Sequence, residues 1–277
     1  MTSIDRTRKP AHRRHEQGRV ILVGAGPGAA DLLTLRAVRA LGEADLVLYD
    51  ALVDPQILDY APNAIRHYVG KRAGRPNIAQ ERIHAIMIRA ARAGRVVVRL
   101  KCGDPFVLGR GGEEAIALEQ AKIQVEVVPG LSSAIAAPGA AGIPVTHRDL
   151  APGVLVLSAV PSKHYECVLS ALPPGSVTVV LLMAIGGRAT IANYLRSVGW
   201  PGELPAAIVL DATLPSSFSW TGMLADLGHT PLPMDAGSAG LIVLGPVVSL
   251  AATISRATRS YPSNKENQPW PMERQAH

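Results

Sequence analysis

The sequence is poor in aromatic residues and in cysteine. Aromatic side chains make up 4% of the 277 residues, which argues against a protein that stacks single-stranded nucleic acid on aromatic rings. Cys102 and Cys167 are the only cysteines, and their spacing matches neither a disulfide framework nor a metal-binding motif. We therefore expect a protein of a reducing cytoplasm that binds neither a structural metal nor nucleic acid.

Long apolar runs are also absent. No run of about 18 uninterrupted apolar residues occurs, so the sequence predicts no membrane-spanning helix. The first residues lack the apolar segment of a secretory signal. What the sequence does contain is 48% hydrophobic and 18% charged residues, a composition that is typical of a globular protein with a substantial core.

The formal net charge of +6 is unevenly distributed along the chain. Residues 1–18 contain five basic and two acidic residues, so this segment alone carries half of the surplus. We interpret it as a disordered, solvated tail rather than as an arm that binds polyanions. Residues 256–277 are polar and contain prolines, which predicts a second flexible tail.

Short apolar runs alternate with segments of helical periodicity over residues 19–150, which we interpret as a first lobe. The predicted strands are 19–24, 45–49, 95–100 and 125–128, and the predicted helices are 31–41, 80–92 and 113–121. Because strands and helices alternate, we expect a largely parallel sheet with ligands at the carboxyl ends of its strands.

A second lobe is predicted from residue 151 to residue 255. A polar crossing at 146–152 separates it from the first lobe. Its predicted strands are 154–158, 177–183, 207–210 and 239–244, and its one clear helix is 190–198. The predicted fold class is therefore α/β, with two α/β lobes and a cleft between them that suits a small molecule.

A glycine motif follows the first predicted strand. Gly24-Ala25-Gly26-Pro27-Gly28-Ala29 matches G-x-G-x-x-G/A, and Asp50 lies 21 residues after Ala29, near the usual place of a ribose-binding acid. This pattern alone fits a nicotinamide or flavin site and fits equally another ligand that approaches the backbone here. A tight turn without a ligand is a third, less favoured reading.

Several later motifs follow in a specific order. Residues 103–112 place Asp104 and Arg110 among four glycines, a density that lets the backbone turn sharply and approach a ligand. The other motifs are Gly-Lys-Arg-Ala-Gly at 70–74, Pro-Gly-Leu-Ser-Ser-Ala at 129–134, Gly-Ile-Pro-Val-Thr-His-Arg at 142–148 and a methionine at 183. Together they resemble the tetrapyrrole methylase superfamily. The Gly-Arg-Gly-Gly-Glu-Glu run at 109–114 is typical of the members that methylate uroporphyrinogen III.

The resemblance is dense over residues 20–150 and thinner over 177–245. It implies an enzyme that uses S-adenosylmethionine, methylates uroporphyrinogen III at two carbons and gives precorrin-2, on the branch toward sirohaem and cobalamin. It also implies a homodimer. The resemblance assigns the S-adenosylmethionine contacts to Pro27, Cys102, Gly103, Asp104, Val107, Ser132, Ser133, Met183 and Ala212.

The same resemblance assigns the chemistry, and the charge of the proposed substrate suggests the residues that bind it. It makes Asp50 the proton acceptor and Lys71 the proton donor. A carboxylate in this place can take the proton that leaves the macrocycle after methyl transfer. The residues expected to bind substrate carboxylates are Arg72, Arg110, His147 and Arg148, because arginine in particular binds both oxygens of a carboxylate.

The sequence departs from the family pattern at several places. Cys102 replaces a glycine, and Ser133 replaces a common alanine. The segment after Arg148 is short and lacks the usual serine- and threonine-rich strand, which bears on substrate choice. We interpret Glu113 and Glu114 as helix N-terminal charges rather than as catalytic acids.

Three other functions stay open from the sequence. The glycine motif with Asp50 would fit a nicotinamide or flavin oxidoreductase. The methylase motifs would also fit an enzyme that acts on another corrinoid precursor or on a macromolecule. A tetrapyrrole-binding protein without turnover would retain the same pocket.

Overall fold

A computed structural model of the protein describes residues 18–70, 79–233 and 239–257. This part of the chain forms ten strands and seven α-helices. The strands are β1 (Arg19–Gly24), β2 (Leu46–Tyr49), β3 (Ile65–Tyr68), β4 (Val96–Lys101), β5 (Gln124–Val128), β6 (Val154–Ser158), β7 (Thr178–Leu182), β8 (Pro205–Leu210), β9 (Phe218–Met223) and β10 (Gly240–Leu244). The helices are α1 (Leu35–Glu43), α2 (Gln80–Arg92), α3 (Gly111–Gln120), α4 (Ser133–Ala140), α5 (Lys163–Leu169), α6 (Arg188–Ser197) and α7 (Ala251–Ala257).

The first five strands form one sheet in the order β3-β2-β4-β1-β5. All four strand pairs are parallel, so the predicted parallel sheet is confirmed. Every residue of the central strand β4 is buried. Apolar side chains cover the sheet on both faces: Leu41 of α1 belongs to one core cluster, and Met87 of α2 with Leu118 of α3 belongs to another.

The remaining strands form a second sheet in the order β6-β7-β10-β8-β9. Only β6 and β7 pair in parallel, whereas β10 runs antiparallel to both of its neighbours and β9 runs antiparallel to β8. Because β10 is reversed, its first residues lie beside the last residues of β7 and β8. The two sheets fall on either side of residue 150, where the sequence predicts the lobe boundary.

Helix α1 begins later than the sequence predicts. Asp31 lies in a separate 3-10 turn, Ala30–Leu32, and α1 starts at Leu35. Thr34 is the N-cap, and its hydroxyl accepts a hydrogen bond from the amide of Ala37. The local hydroxyl cap therefore determines the helix start, rather than the acidic residue upstream.

Five elements were not predicted, and each lacks the periodicity that would indicate it: β3, β9, α4, α5 and α7. All four residues of β3 are exposed, and β9 alternates between half-buried and exposed positions. Helix α4 contains Pro138 and Gly139, and α5 has only seven residues. Neighbouring strands and the packing of the lobes support these elements instead of local sequence preference.

The two lobes are in direct contact at the first glycine motif. The hydroxyl of Thr213 in the second lobe accepts a hydrogen bond of 3.0 Å from the amide of Ala29 in the first. A Cβ atom on Gly28 would lie 2.9 Å from the carbonyl oxygen of Ala212. This contact fixes the loop after β1 against the loop after β8. Within the described residues, no helix has both the length and the apolar character needed to cross a membrane.

Three glycines let the ends of β1, β4 and β5 approach backbone to backbone. A Cβ atom on Gly24 would lie 2.5 Å from the amide nitrogen of Gly130 and 2.6 Å from the carbonyl oxygen of Gly103. A Cβ atom on Gly130 would overlap that same carbonyl oxygen. Any side chain here would force apart the loops that follow the three central strands.

We predict that Gly130→Ala lowers the free energy of unfolding by about 3 kcal/mol or more, since an added methyl group must push on rigid backbone. Gly139→Ala is the matched control, because a Cβ atom there meets nothing within 4 Å. In a helix this control should leave stability unchanged or raise it by about 0.5–1 kcal/mol. Denaturant titration measures both variants, and equal stability of Gly130→Ala and the wild type would contradict the packing argument.

Candidate functional site

The carboxyl ends of the first sheet and the facing end of the second enclose a cleft of about 630 Å³. Loops after β1, β2, β4 and β5 supply one side. The last residues of β7 and β8, and the first residues of β10, supply the other. The parallel sheet therefore presents its loops where the sequence analysis expects a ligand.

Most of the predicted site residues line this cleft. All nine positions that the sequence analysis assigns to the cofactor line the cleft: Pro27, Cys102, Gly103, Asp104, Val107, Ser132, Ser133, Met183 and Ala212. Asp50 and Arg110 also line it. Lys71 and Arg72 lie outside the described residues, although Gly70, which precedes them, packs its backbone against Ala51 in the cleft wall.

His147 and Arg148 are not among the residues that line the cleft. His147 exchanges two backbone hydrogen bonds with Ala151, and its Nδ1 accepts a third from the amide of Asp149. Arg148 is exposed on the same turn. The structure thus places both residues on the connection between the lobes and apart from the other predicted site residues.

Asp104 ties two of the cleft loops together. Its Oδ1 accepts a hydrogen bond of 2.8 Å from the amide of Phe106, and its Oδ2 accepts one of 3.1 Å from the amide of Gly130. The carboxylate thereby joins the loop after β4 to the loop after β5. Each carboxylate oxygen has a further lone pair, so a hydroxyl of a ligand can still donate to Asp104.

The backbone accepts the cysteine that replaces a family glycine. Gly103 adopts the left-handed conformation, with φ +67°, and Cys102 does not. The Sγ atom of Cys102 lies 3.7 Å from the carbonyl oxygen of Gly26 and 4.0 Å from Oγ of Ser133. Burial raises the pKa of the Cys102 thiol. The position therefore needs no glycine for its backbone geometry, and the thiol stays neutral.

Several residues beside the cleft hold a left-handed backbone that non-glycine residues rarely adopt. They are Leu108 and Arg110 in the loop before α3, Met183 after β7, and Asp211 and Thr213 on either side of Ala212. Such conformations cost free energy and persist only where the surrounding structure fixes them. Their concentration here marks the cleft as the part of the fold that is shaped for a ligand.

The first glycine motif does not form a dinucleotide-binding turn. In that turn, free amides at a helix N-terminus point at a pyrophosphate. Here Gly26 pairs with Gly103 through two backbone hydrogen bonds, and the amide of Ala29 donates to Thr213. The amide of Ala37 in α1 donates to its own N-cap, Thr34. The amides of Gly26, Ala29 and Ala37 therefore donate within the protein rather than to a ligand phosphate.

A buried network of charged groups lies beside Asp50. Arg99 donates a hydrogen bond of 2.6 Å from Nη2 to Oδ1 of Asp50 and one of 3.0 Å from Nε to Oε1 of Glu114. Lys101 donates a hydrogen bond of 3.2 Å to Oε1 of Glu114, and its Nζ lies 3.1 Å from Oε2 as an ion pair. Gln80 donates to Oε1 at 2.9 Å. The side chain of Glu114 is 0% exposed, that of Arg99 is 3% exposed and that of Asp50 is 30% exposed.

The network affects its two cations differently. Burial opposes the charge of Arg99, but attraction to Asp50 and Glu114 outweighs it and raises the pKa of Arg99. Burial and then the positive charge of Arg99 lower the pKa of Lys101, despite the attraction of Glu114. Of the two cations, Arg99 therefore holds its proton more tightly.

Sequence reasoning missed Gln80, Arg99, Lys101 and the burial of Glu114. Glu113 and Glu114 both lie in the first turn of α3, as expected of helix N-terminal charges. Only Glu113 is exposed, and it binds Arg110 at 2.6 Å, which lowers the pKa of Glu113. The two charged residues in the otherwise apolar strand β4 could have predicted this network, because a buried charge requires a partner.

Comparison with known proteins identifies the family to which this chain is similar. The chain matches the family model of the Tetrapyrrole (Corrin/Porphyrin) Methylases over residues 19–228. It is 42% identical over 238 residues to the uroporphyrinogen-III C-methyltransferase of Methanocaldococcus jannaschii, covering 84% of this chain and 98% of that protein. It is 40% identical to siroheme synthase 2 of Serratia proteamaculans, covering 91% of this chain and 54% of that protein. The chain thus spans about half the length of the siroheme synthases it matches.

Solved structures agree with the sequence relatives. Uroporphyrin-III C-methyltransferase of Thermus thermophilus, crystallised with S-adenosylhomocysteine, is 40% identical and superposes with a TM-score of 0.72, covering 84% of this chain and 99% of that one. A cobalt precorrin-4 methyltransferase is 25% identical, with a TM-score of 0.70, covering 83% of this chain and 95% of that one. With the family model matching most of the chain, the protein belongs to the tetrapyrrole methylase family.

Proposed function

We propose that the protein is an S-adenosylmethionine-dependent methyltransferase that methylates uroporphyrinogen III at two carbons and gives precorrin-2. The observation that carries the proposal is that nine residues from separate loops of both lobes, each assigned to the cofactor by resemblance, line one cleft. The likeness to a uroporphyrinogen-III C-methyltransferase over nearly its whole length supports the same reaction. The product would serve sirohaem or cobalamin synthesis.

The cleft is of a size and shape that suit the cofactor. Its volume of about 630 Å³ lies within the range of roughly 300–1,000 Å³ that is usual for small-molecule sites. S-Adenosylmethionine supplies a methyl group activated by its sulfonium sulfur. Asp104 offers acceptor positions for ribose hydroxyls, and Gly103 leaves its loop free of a side chain that would fill the space. Met183 and Ala212 contribute apolar surface from the second lobe.

The protein's task in this reaction is positioning followed by proton removal. A ring carbon of the macrocycle bonds to the methyl carbon, and the electron pair of the broken carbon–sulfur bond stays on sulfur. Much of the acceleration in such an in-line displacement comes from holding the reacting atoms in place. The methylated macrocycle then loses a proton, and Asp50 is the proposed acceptor because its carboxylate lines the cleft.

We propose that basic side chains supply the positive charges that bind the carboxylates of the macrocycle. Arg110 lines the cleft and is oriented by Glu113 through two nitrogen atoms. Lys71 belongs to the proposal as proton donor through the family resemblance, and Arg72 belongs to it as a cation suited to a substrate carboxylate. His147 and Arg148 would meet substrate only where a large macrocycle extends beyond the cleft toward the connection between the lobes.

We also propose that the protein acts as a homodimer in the cytoplasm. The family resemblance supports the dimer, and the two free cysteines fit a reducing compartment. Light scattering of the purified protein tests the dimer: a mass of one chain would contradict it. Fractionation of the source cells tests the compartment.

Turnover under anaerobic conditions tests the function. We expect uroporphyrinogen III and S-adenosylmethionine to give a dimethylated product and S-adenosylhomocysteine, detected by mass spectrometry. Methylation of another corrinoid precursor, with uroporphyrinogen III left intact, would assign a different substrate to the same site. Binding of both ligands without turnover would indicate a tetrapyrrole-binding protein.

Asp50→Asn should lower kcat by about 10²- to 10⁴-fold, because the amide cannot accept the proton that general-base catalysis requires. The affinity for S-adenosylhomocysteine should stay within about twofold, since the expected cofactor contacts lie elsewhere. Asp59→Asn is the control, because Asp59 is exposed, lies outside the cleft lining and pairs with Arg66 at 3.5 Å. Calorimetry and initial rates measure both quantities, and an unchanged kcat would remove Asp50 from the mechanism.

Asp104→Ala should weaken S-adenosylhomocysteine binding about tenfold or more, since a hydrogen bond to a charged group contributes roughly 1.5–3 kcal/mol. The substitution also frees the amides of Phe106 and Gly130, which loosens both loops. Asp149→Ala serves as the comparison, because Asp149 is exposed and lies outside the cleft. A calorimetric titration that shows the same affinity for Asp104→Ala and the wild type would refute this assignment.

A further inference from the structure

Among the described residues, hydrogen bonds hold the carboxylate of Asp50 by one oxygen only. Its Oδ1 accepts the hydrogen bond of 2.6 Å from Arg99. Its Oδ2 lies 4.0 Å from Nζ of Lys101, and no hydrogen bond from the described residues reaches it. The side chain is 30% exposed and lines the cleft. One oxygen is therefore fixed by the protein while the other stays available for a proton.

Arg99 can fix that oxygen because its own position is fully determined. Its guanidinium is 3% exposed and uses three nitrogen atoms in three directions. Nη2 binds Asp50, Nε binds Glu114, and Nη1 donates to the carbonyl oxygens of Leu48 and Leu100 at 3.5 and 3.3 Å. A planar, rigid fork of this kind transmits the position of one carboxylate to another, which a flexible ammonium cannot do.

Glu114 anchors the fork from the opposite side. It comes from α3, whereas Asp50 follows β2 and Arg99 lies in β4. Lys101 and Gln80 also donate to Glu114. The charges of Arg99 and Lys101 balance those of Asp50 and Glu114, so no cation in the network lacks an opposite charge. The orientation of Asp50 is thereby linked to three separate elements of the first lobe.

We propose that Arg99 is a positioning residue of the reaction: anchored by Glu114, it holds Asp50 so that Oδ2 is presented to the cleft as the proton acceptor. The proposal rests on the proposed function, because it assigns Arg99 a role through the proton-accepting group. Arg99 lines the cleft with only 3% of its side chain exposed, and its nitrogen atoms donate to groups of the protein, so we assign it a role through Asp50. Removing its fork would leave the cofactor pocket intact and misplace the base.

A double-mutant cycle between Arg99 and Asp50 tests the proposal. Arg99→Lys keeps the charge balance and so preserves the fold, but it loses the three-way fork. We expect it to lower kcat about tenfold, as for other small misplacements of catalytic groups, while KM for uroporphyrinogen III stays within about threefold. Arg99→Met removes the cation as well and should lower kcat further than Arg99→Lys does. Arg95→Lys, an exposed arginine just before β4, is the matched control and should match the wild type.

The decisive measurement is the effect of Arg99→Lys in the Asp50→Asn background, followed with a radiolabelled methyl group. If Arg99 acts through Asp50, the second substitution should change kcat by less than about twofold there. An equal loss in both backgrounds would assign Arg99 a general structural role and overturn the proposal. Wild-type kcat in Arg99→Lys would also overturn it.

Two controls separate this proposal from the proposed function. Calorimetry with S-adenosylhomocysteine should give wild-type affinity for Arg99→Lys, which shows that the variant is folded with its pocket formed. If the wild type itself fails to methylate uroporphyrinogen III, the proposed function fails. If the wild type turns over and the cycle shows no coupling, only the role of Arg99 fails.

Discussion

The ion network of Asp50, Arg99, Lys101 and Glu114 holds together the end of the cleft where Asp50 lies. Moving an ion from water into a protein interior costs several kcal/mol, and attraction recovers this only when the partners are well placed. Glu114 is fully buried and faces both cations, so the helix that carries it cannot shift without leaving charges unpaired. The network therefore fixes α3 against β4, and with it the glycine-rich loop between them.

Stability alone is a weak explanation for such a network. Replacing buried ions by apolar groups of similar volume is often neutral or stabilising, whereas removing one partner is costly. The cations sit in β4, whose other residues are apolar and where a continuous apolar strand would pack readily. Their presence is better explained by Asp50, the most exposed member of the network, whose carboxylate lines the cleft. A group whose work requires a fixed orientation needs partners that do not move.

The sequence predicted the fold well where periodicity is strong. Helix α2 and strands β1 and β6 have the predicted bounds, because apolar residues recur there at regular spacing between clear breaks. The exposed strand β3 and the proline-containing helix α4 escaped prediction, because neighbouring elements rather than local pattern hold them. Position along the chain also cannot show that α3 buries one of two adjacent glutamates and leaves the other in water.

The candidate site was predictable from resemblance but not from any single motif. Nine separate positions converge on one cleft, which a loop-by-loop reading of glycines could not establish. His147 and Arg148 show the opposite case, because their residue types suit an anionic substrate while the turn that carries them lies outside the cleft lining. Hydrogen bonds within the turn, between His147 and Ala151 and from the amide of Asp149 to His147, hold it in that place.

The first glycine motif shows that glycines in a sequence predict a close approach to the backbone, but not whether a ligand or another loop makes that approach. In a dinucleotide-binding fold, the glycines bring a helix N-terminus to a pyrophosphate. In this protein, Gly24 admits the backbones of Gly103 and Gly130, and Gly28 admits the loop of the second lobe at Ala212. The same absence of side chains thus joins the lobes and brings the loops after β4 and β5 together. Whether such a motif binds phosphate depends on where its amides donate, and here the amides of Ala25, Gly26 and Ala29 donate to the protein itself.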